Sequence, residues 1–112
     1  MSQITTHVLD TSLGQPAAGL AIKLQQLDGE NWKTLGEGLT NEDGRITDLL
    51  PDYETVPPGV YRMYFDTGSY YKKLNQKTFY PFVTIVFETF DTSHYHVPLL
   101  LNPFGHSTYR GS

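Results

Sequence analysis

Short segments of strand-forming residues follow one another along almost the whole chain, and a turn cluster closes each of them. That rhythm is the signature of an all-β fold and constrains the chain more than any other feature. Ile4 to Leu9 reads as a first strand, and Leu13-Gly14-Gln15-Pro16 ends it. Leu20 to Leu27 alternates, with Leu20, Ile22 and Leu24 on one face. Asp28-Gly29 is a hairpin signal, Trp32 to Leu39 returns, and Asn41-Glu42-Asp43-Gly44 turns again before Arg45 and Ile46. After Pro57-Pro58-Gly59, the run Val60 to Phe65 puts Tyr61, Met63 and Phe65 on a shared face. Phe82 to Phe90 does the same with Val83, Ile85 and Phe87, and the next strand with Tyr95, Val97, Leu99 and Leu101. Ser107 to Arg110 reads as a short last strand. The one helical stretch is Ser69 to Asn75, with Ser69 as its cap and Tyr70 and Leu74 at i, i+4. About eight strands and one short helix point to a two-sheet β-sandwich.

A chain of 112 residues is one domain, residues 1–112, able to bury a core of its own. A domain this small leaves much apolar surface near water, so association is expected. The aromatic share is high, 13%, led by eight Tyr and six Phe, residues that suit strands and half-wet surfaces. Net charge is −4 and no basic run occurs, which argues against nucleic-acid binding. No apolar stretch reaches the length of a membrane span. The segment Met1 to Thr6 lacks the basic and apolar regions of a secretory signal, and there is no cysteine. A cytoplasmic protein is the expectation.

Histidine is the usual acid and base near neutral pH, and the chain has four: His7, His94, His96 and His106. Alternation sets His7 opposite the face of Ile4, Thr6 and Val8, where a solvated surface histidine is the plain reading. His94 and His96 form an H-x-H pair on one strand face, the spacing of two metal ligands. Two imidazoles do not close a zinc site, and no acidic cluster has calcium spacing, so no metal is expected. Arg45, after the Gly turn, is either a solvated strand end or a fork of donors for a planar anion. There is no cysteine and no G-x-S-x-G, which leaves attack by water, assisted by histidine and arginine, as the open chemistry.

Thr5-Thr6-His7-Val8-Leu9-Asp10-Thr11-Ser12-Leu13-Gly14, Thr40-Asn41-Glu42-Asp43-Gly44-Arg45, Gly59-Val60-Tyr61 and Phe79-Tyr80-Pro81 together resemble the transthyretin superfamily. The close of the chain is more specific. His96-Val97-Pro98-Leu99-Leu100-Leu101 and the terminal Tyr109-Arg110-Gly111-Ser112 resemble the 5-hydroxyisourate hydrolase branch and not the hormone carriers. His106 departs from the commonest pattern, which has tyrosine there, and Pro51 to Pro58 looks variable.

The resemblance implies a transthyretin-like sandwich with its helix between the fifth and sixth strands. It implies His7, Arg45 and His96, not His94, as catalytic residues, and Tyr109, Arg110, Gly111 and Ser112 as the substrate-binding tail. The implied reaction opens the ring of 5-hydroxyisourate to give 2-oxo-4-hydroxy-4-carboxy-5-ureidoimidazoline, without a cofactor. The implied assembly is a homotetramer, a dimer of dimers, with sites between dimers. Two rival readings are a carrier of small aromatic ligands, which has no need of the tail, and a protein-binding sandwich, which leaves His7, Arg45 and His96 scattered.

Overall fold

The computed structural model describes residues 2–112; Met1, part of the N-terminal segment read above, lies outside them. The chain order is β1 (Ile4–Asp10), β2 (Gln15–Pro16), β3 (Ala21–Asp28), β4 (Asn31–Leu39), β5 (Arg45–Ile46), β6 (Gly59–Phe65), α1 (Thr67–Lys73), β7 (Val83–Thr89), β8 (Tyr95–Asn102) and β9 (Gly105–Thr108). Two sheets form, one in the order β2-β1-β8-β9 and the other β4-β3-β6-β7. The short β5 joins the first sheet beside β1. An all-β, two-sheet sandwich with one short helix is the observed architecture.

Alternation decides which residues meet between the sheets. Leu20, Ile22 and Leu24 face Ile4, Val8, Leu99 and Leu101 in a single core with Tyr61, Met63 and Phe65, all of them buried. Among the described residues every strand pairing but one is antiparallel. The exception is β1 with β8, which run parallel from Ile4 beside Tyr95 to Asp10 beside Leu101. Parallel neighbours need a long crossover, and here nearly the whole chain supplies it.

The expected elements are present, with three differences. The last strand spans Gly105–Thr108, not Ser107 to Arg110, and leaves Tyr109 and Arg110 beyond its end. Gln15–Pro16 adds a two-residue strand to the eight expected; setting it aside, α1 follows the fifth strand as the resemblance implies. The helix starts at Thr67, and its cap is Asp66, whose carboxylate accepts from the Ser69 N–H. Ser69 is therefore inside the first turn. Aspartate caps as well as serine, and it stands where β6 ends.

Asp10 ties the end of β1 to this helix. It is fully buried; its Oδ1 accepts from the Ser12 N–H at 3.0 Å and the Ser12 hydroxyl at 2.6 Å, and its Oδ2 from the Tyr70 hydroxyl at 2.9 Å. Tyr70 ionises with more difficulty than a free phenol, through burial first and then the Asp10 carboxylate. Replacing Asp10 by alanine strands the Tyr70 hydroxyl and opens the turn after β1. The expected cost is about 1–3 kcal/mol, read as a lower urea midpoint at unchanged slope. An unchanged midpoint would remove Asp10 from the scaffold.

Candidate functional site

Thr5 and His7 point outward from β1, since Ile4, Thr6 and Val8 point into the core. The parallel register sets Thr5 beside His96 and His7 beside Pro98. His96, also outward, therefore lies between Thr5 and His7 and touches both. Its Nδ1 is 2.7 Å from the Thr5 hydroxyl, and its Nε2 is 2.6 Å from His7 Nδ1. The two rings are tilted by 31° with centroids 4.8 Å apart. Residues 89 apart in the chain thus form a short hydrogen bond.

Arg45 arrives by a different device. The Asn41 side-chain oxygen accepts from the N–H groups of Asp43 and Arg45, which shapes the turn. Gly44 completes it at φ +72, where a Cβ would lie 2.4 Å from the Val8 carbonyl oxygen. The chain then pairs antiparallel with β1, with Arg45 directly opposite His7. The guanidinium is exposed on the histidine side of the sheet.

The electrostatics follow from this placement. Burial, then the positive charges of His7, Arg45 and His94, lowers the pKa of His96 to about 4. Burial, then Arg45, also holds His7 below its ordinary value of 6.5. Both rings are thus neutral near pH 7, each with one N–H and one lone pair. Neutral imidazoles beside a fixed cation can take a proton from water while the cation attracts the developing negative charge.

The tail divides. The Gly111 N–H donates to the His96 carbonyl at 2.9 Å and forms a bridge with it. Only glycine fits there, because a Cβ would lie 2.6 Å from His96 Cδ2 and 3.0 Å from Pro98 Cγ. Arg110 turns the other way, its guanidinium 4.4 Å from the Tyr95 ring centroid. Tyr109 and Arg110 help line a mostly apolar cavity of about 280 Å³ beside β7, with Phe87, Phe90 and Tyr95. Ser112 is exposed beyond Gly111. Within one chain His7, Arg45, His96 and Gly111 are brought together, and Tyr109 and Arg110 line a cavity that His96 also lines.

Two further groups belong to the cluster. The Thr5 hydroxyl, bonded to His96, is also 2.9 Å from His94 Nε2. Thr5 shares a face with His7 by simple alternation, a signal that was legible but pointed to no chemistry until the partner strand was known. Both ring nitrogens of His96 are engaged with protein groups, so a metal ligated there would break one of these bonds. His106 lies apart, edge-on to Tyr80.

A family model described as the HIUase/Transthyretin family matches residues 4–111. The 5-hydroxyisourate hydrolase of Mus musculus is 46% identical over 114 residues, which cover 99% of this chain and 96% of that protein. The solved 5-hydroxyisourate hydrolase of Klebsiella pneumoniae aligns with a TM-score of 0.86 at 34% identity, over 97% of this chain and 98% of that one. Sea bream transthyretin, solved in complex with thyroxine, aligns with a TM-score of 0.90 at 30% identity, over 98% of this chain and 95% of that one.

The contact between the tail and His96 has a direct test. Gly111→Ala is expected to push the tail off β8 or turn the His96 ring, so the His96 imidazole signals in a proton–carbon NMR spectrum should shift while the core methyl signals stay in place. Unmoved His96 signals would show that the tail does not brace the ring.

Proposed function

The chain belongs to the HIUase/Transthyretin family, and from that premise we propose that it is a 5-hydroxyisourate hydrolase acting by histidine-assisted attack of water on a ring carbonyl. The observation that carries the reading is the short hydrogen bond between two neutral histidines, His7 and His96, opposite the Arg45 guanidinium. His7 Nε2, the nitrogen not bonded to His96, is the group that takes the proton from water. Arg45 attracts the charge that grows on the carbonyl oxygen. The ring C–N bond then breaks, and the departing nitrogen takes the proton back. No cofactor enters the scheme.

The fold does not decide between hydrolase and carrier, since the likeness to a thyroxine-bound transthyretin is at least as close as that to a hydrolase. Residues decide it. Near-full-length identity of 46% to a hydrolase, together with a catalytic pair a carrier does not need, favours catalysis.

The proposed assembly is a homotetramer, a dimer of dimers, in the cytoplasm. What supports association is exposed apolar surface, with Phe90 74% and Phe104 66% accessible in the single chain. The two sheets also end in β7 and β9, strands with free edges. In such an assembly a neighbouring subunit closes the open side of the histidine cluster, and Tyr109, Arg110 and Ser112 complete a substrate site with residues from across the interface. Among the described residues no helix is long and apolar enough to cross a membrane.

Freshly generated 5-hydroxyisourate, followed by its ultraviolet decay, tests the proposal. The protein should accelerate the decay. His7→Asn and His96→Asn should each lower kcat by about 10²–10⁴-fold, and Arg45→Ala by about 10²–10³-fold. Deleting residues 110–112 should abolish turnover while leaving the sandwich folded by circular dichroism. Decay at the uncatalysed rate in the presence of wild-type protein would refute the function, and near-normal turnover by all three point variants would refute the residue assignment.

A further inference from the structure

The hydrogen bonding on the outer face of β1 does not stop at the histidine pair. His7, His96, Thr5 and His94 form one unbroken file, with links of 2.6, 2.7 and 2.9 Å. A threonine hydroxyl carries one proton and two lone pairs. Placed between two neutral imidazoles, it donates to one ring and accepts from the other, which couples the tautomers of all three histidines. If Thr5 donates to His94 Nε2, then His96 Nδ1–H donates to Thr5. His96 Nε2 is left to accept from His7 Nδ1–H, and His7 Nε2 presents a lone pair. If Thr5 donates to His96 instead, every bond in the file reverses and His7 Nε2 carries a proton. One direction makes the outward nitrogen a base and the other makes it an acid.

We propose that Thr5 and His94 extend the histidine pair into a proton relay in which His94 holds the proton taken from the attacking water and Thr5 is the positioning residue that sets the direction of the file. The proposal rests on the hydrolase reading above. Water gives a proton to His7 Nε2 as its oxygen bonds to the carbonyl carbon. His7 Nδ1–H passes to His96 Nε2, His96 Nδ1–H to the Thr5 oxygen, and the Thr5 hydroxyl proton to His94 Nε2. His94 becomes imidazolium and the other members end neutral. When the ring C–N bond breaks, His7 Nε2–H protonates the departing nitrogen, the file runs back, and His94 is neutral again.

The surroundings favour this division. His96 is buried between His7 and Thr5, with Arg45 close by, so a proton is poorly held on it. His94 is exposed at the wet end of the file. It shares a surface depression with Asp52 and Glu54. The cation and the oxyanion near Arg45 are thereby separated along the strand, and His7 is freed to serve first as base and then as acid.

The test compares Thr5→Val, Thr5→Ser and His94→Gln with the wild type on freshly generated 5-hydroxyisourate. Valine keeps the shape of threonine without the hydroxyl, serine keeps the hydroxyl, and glutamine can bond to Thr5 but cannot accept the proton. Thr5→Val should lower kcat by about 10-fold or more with KM within about twofold, and Thr5→Ser should restore kcat to within about threefold. His94→Gln, at an exposed position that leaves folding intact, should also lower kcat at unchanged KM. Nitrogen-15 spectra of the imidazoles in unligated protein should show the His96 tautomer fixed in wild type and Thr5→Ser, and altered in Thr5→Val. Wild-type kcat in Thr5→Val, equal losses in Thr5→Val and Thr5→Ser, or wild-type kcat in His94→Gln would each overturn the relay. If the wild type itself does not act on 5-hydroxyisourate, the hydrolase reading fails separately, and unaltered His7 and His96 nitrogen signals in Thr5→Val would then also overturn the coupling.

Discussion

The parallel pairing of β1 with β8 is the constraint on which the rest depends. In a parallel pair, side chains on the same face stand in a regular ladder. The register from Ile4 beside Tyr95 to Asp10 beside Leu101 therefore fixes two things at once. On the inner face it interleaves Ile4 and Val8 with Val97 and Leu99 in the core. On the outer face it inserts His96 between Thr5 and His7. A slip of one residue would turn His96 into the core and bring a core residue out to the surface. The stability of the sandwich and the geometry of the histidine pair are thus secured by the same register, and the apolar face holds the polar one in place.

Chemistry at the pair comes from what surrounds it. Arg45 is delivered opposite His7 by a turn that only glycine at position 44 can close. Its charge and the burial of the rings act together to favour neutral imidazoles. An isolated surface histidine near pH 7 is divided between two protonation states. Here the neutral imidazole is the dominant form at that pH, and the cation that helps keep it neutral is the one proposed to meet the oxyanion. Gly111 closes the arrangement from the other strand edge, where its lack of a side chain lets the tail lie against the His96 ring.

Much of this was legible in the sequence, and the boundary has a physical origin. Period-two alternation correctly assigned the inner faces of Leu20, Ile22 and Leu24, of Tyr61, Met63 and Phe65, and of Tyr95 to Leu101. It also set His7 on the outer face. Alternation is a property of one strand, however, and it carries no information about which strand lies alongside. The pairing of His7 with His96 across 89 residues was supplied by resemblance and not by pattern. Thr5 was passed over for the same reason, since a threonine on a strand face is unremarkable until two imidazoles converge on it. The helix cap moved from Ser69 to Asp66 because both residue types cap well and only the end of β6 chooses between them. Tyr109 and Arg110 lie toward Tyr95 and the β7 edge, in a cavity that His96 also lines, and strand alternation says nothing about how a chain end folds back beyond its last strand.

The central claim is that His7 and His96 form one coupled pair held neutral by burial and by Arg45. An NMR titration of each imidazole measures it most directly. With both values depressed, protons should bind only as pH falls below 6.5. His96 should remain neutral until about pH 4, and the His7 midpoint should also lie below the ordinary value. In Arg45→Ala both midpoints should rise, since a positive neighbour has been removed. Two independent titrations at the ordinary imidazole value, unaffected by loss of Arg45, would contradict the claim.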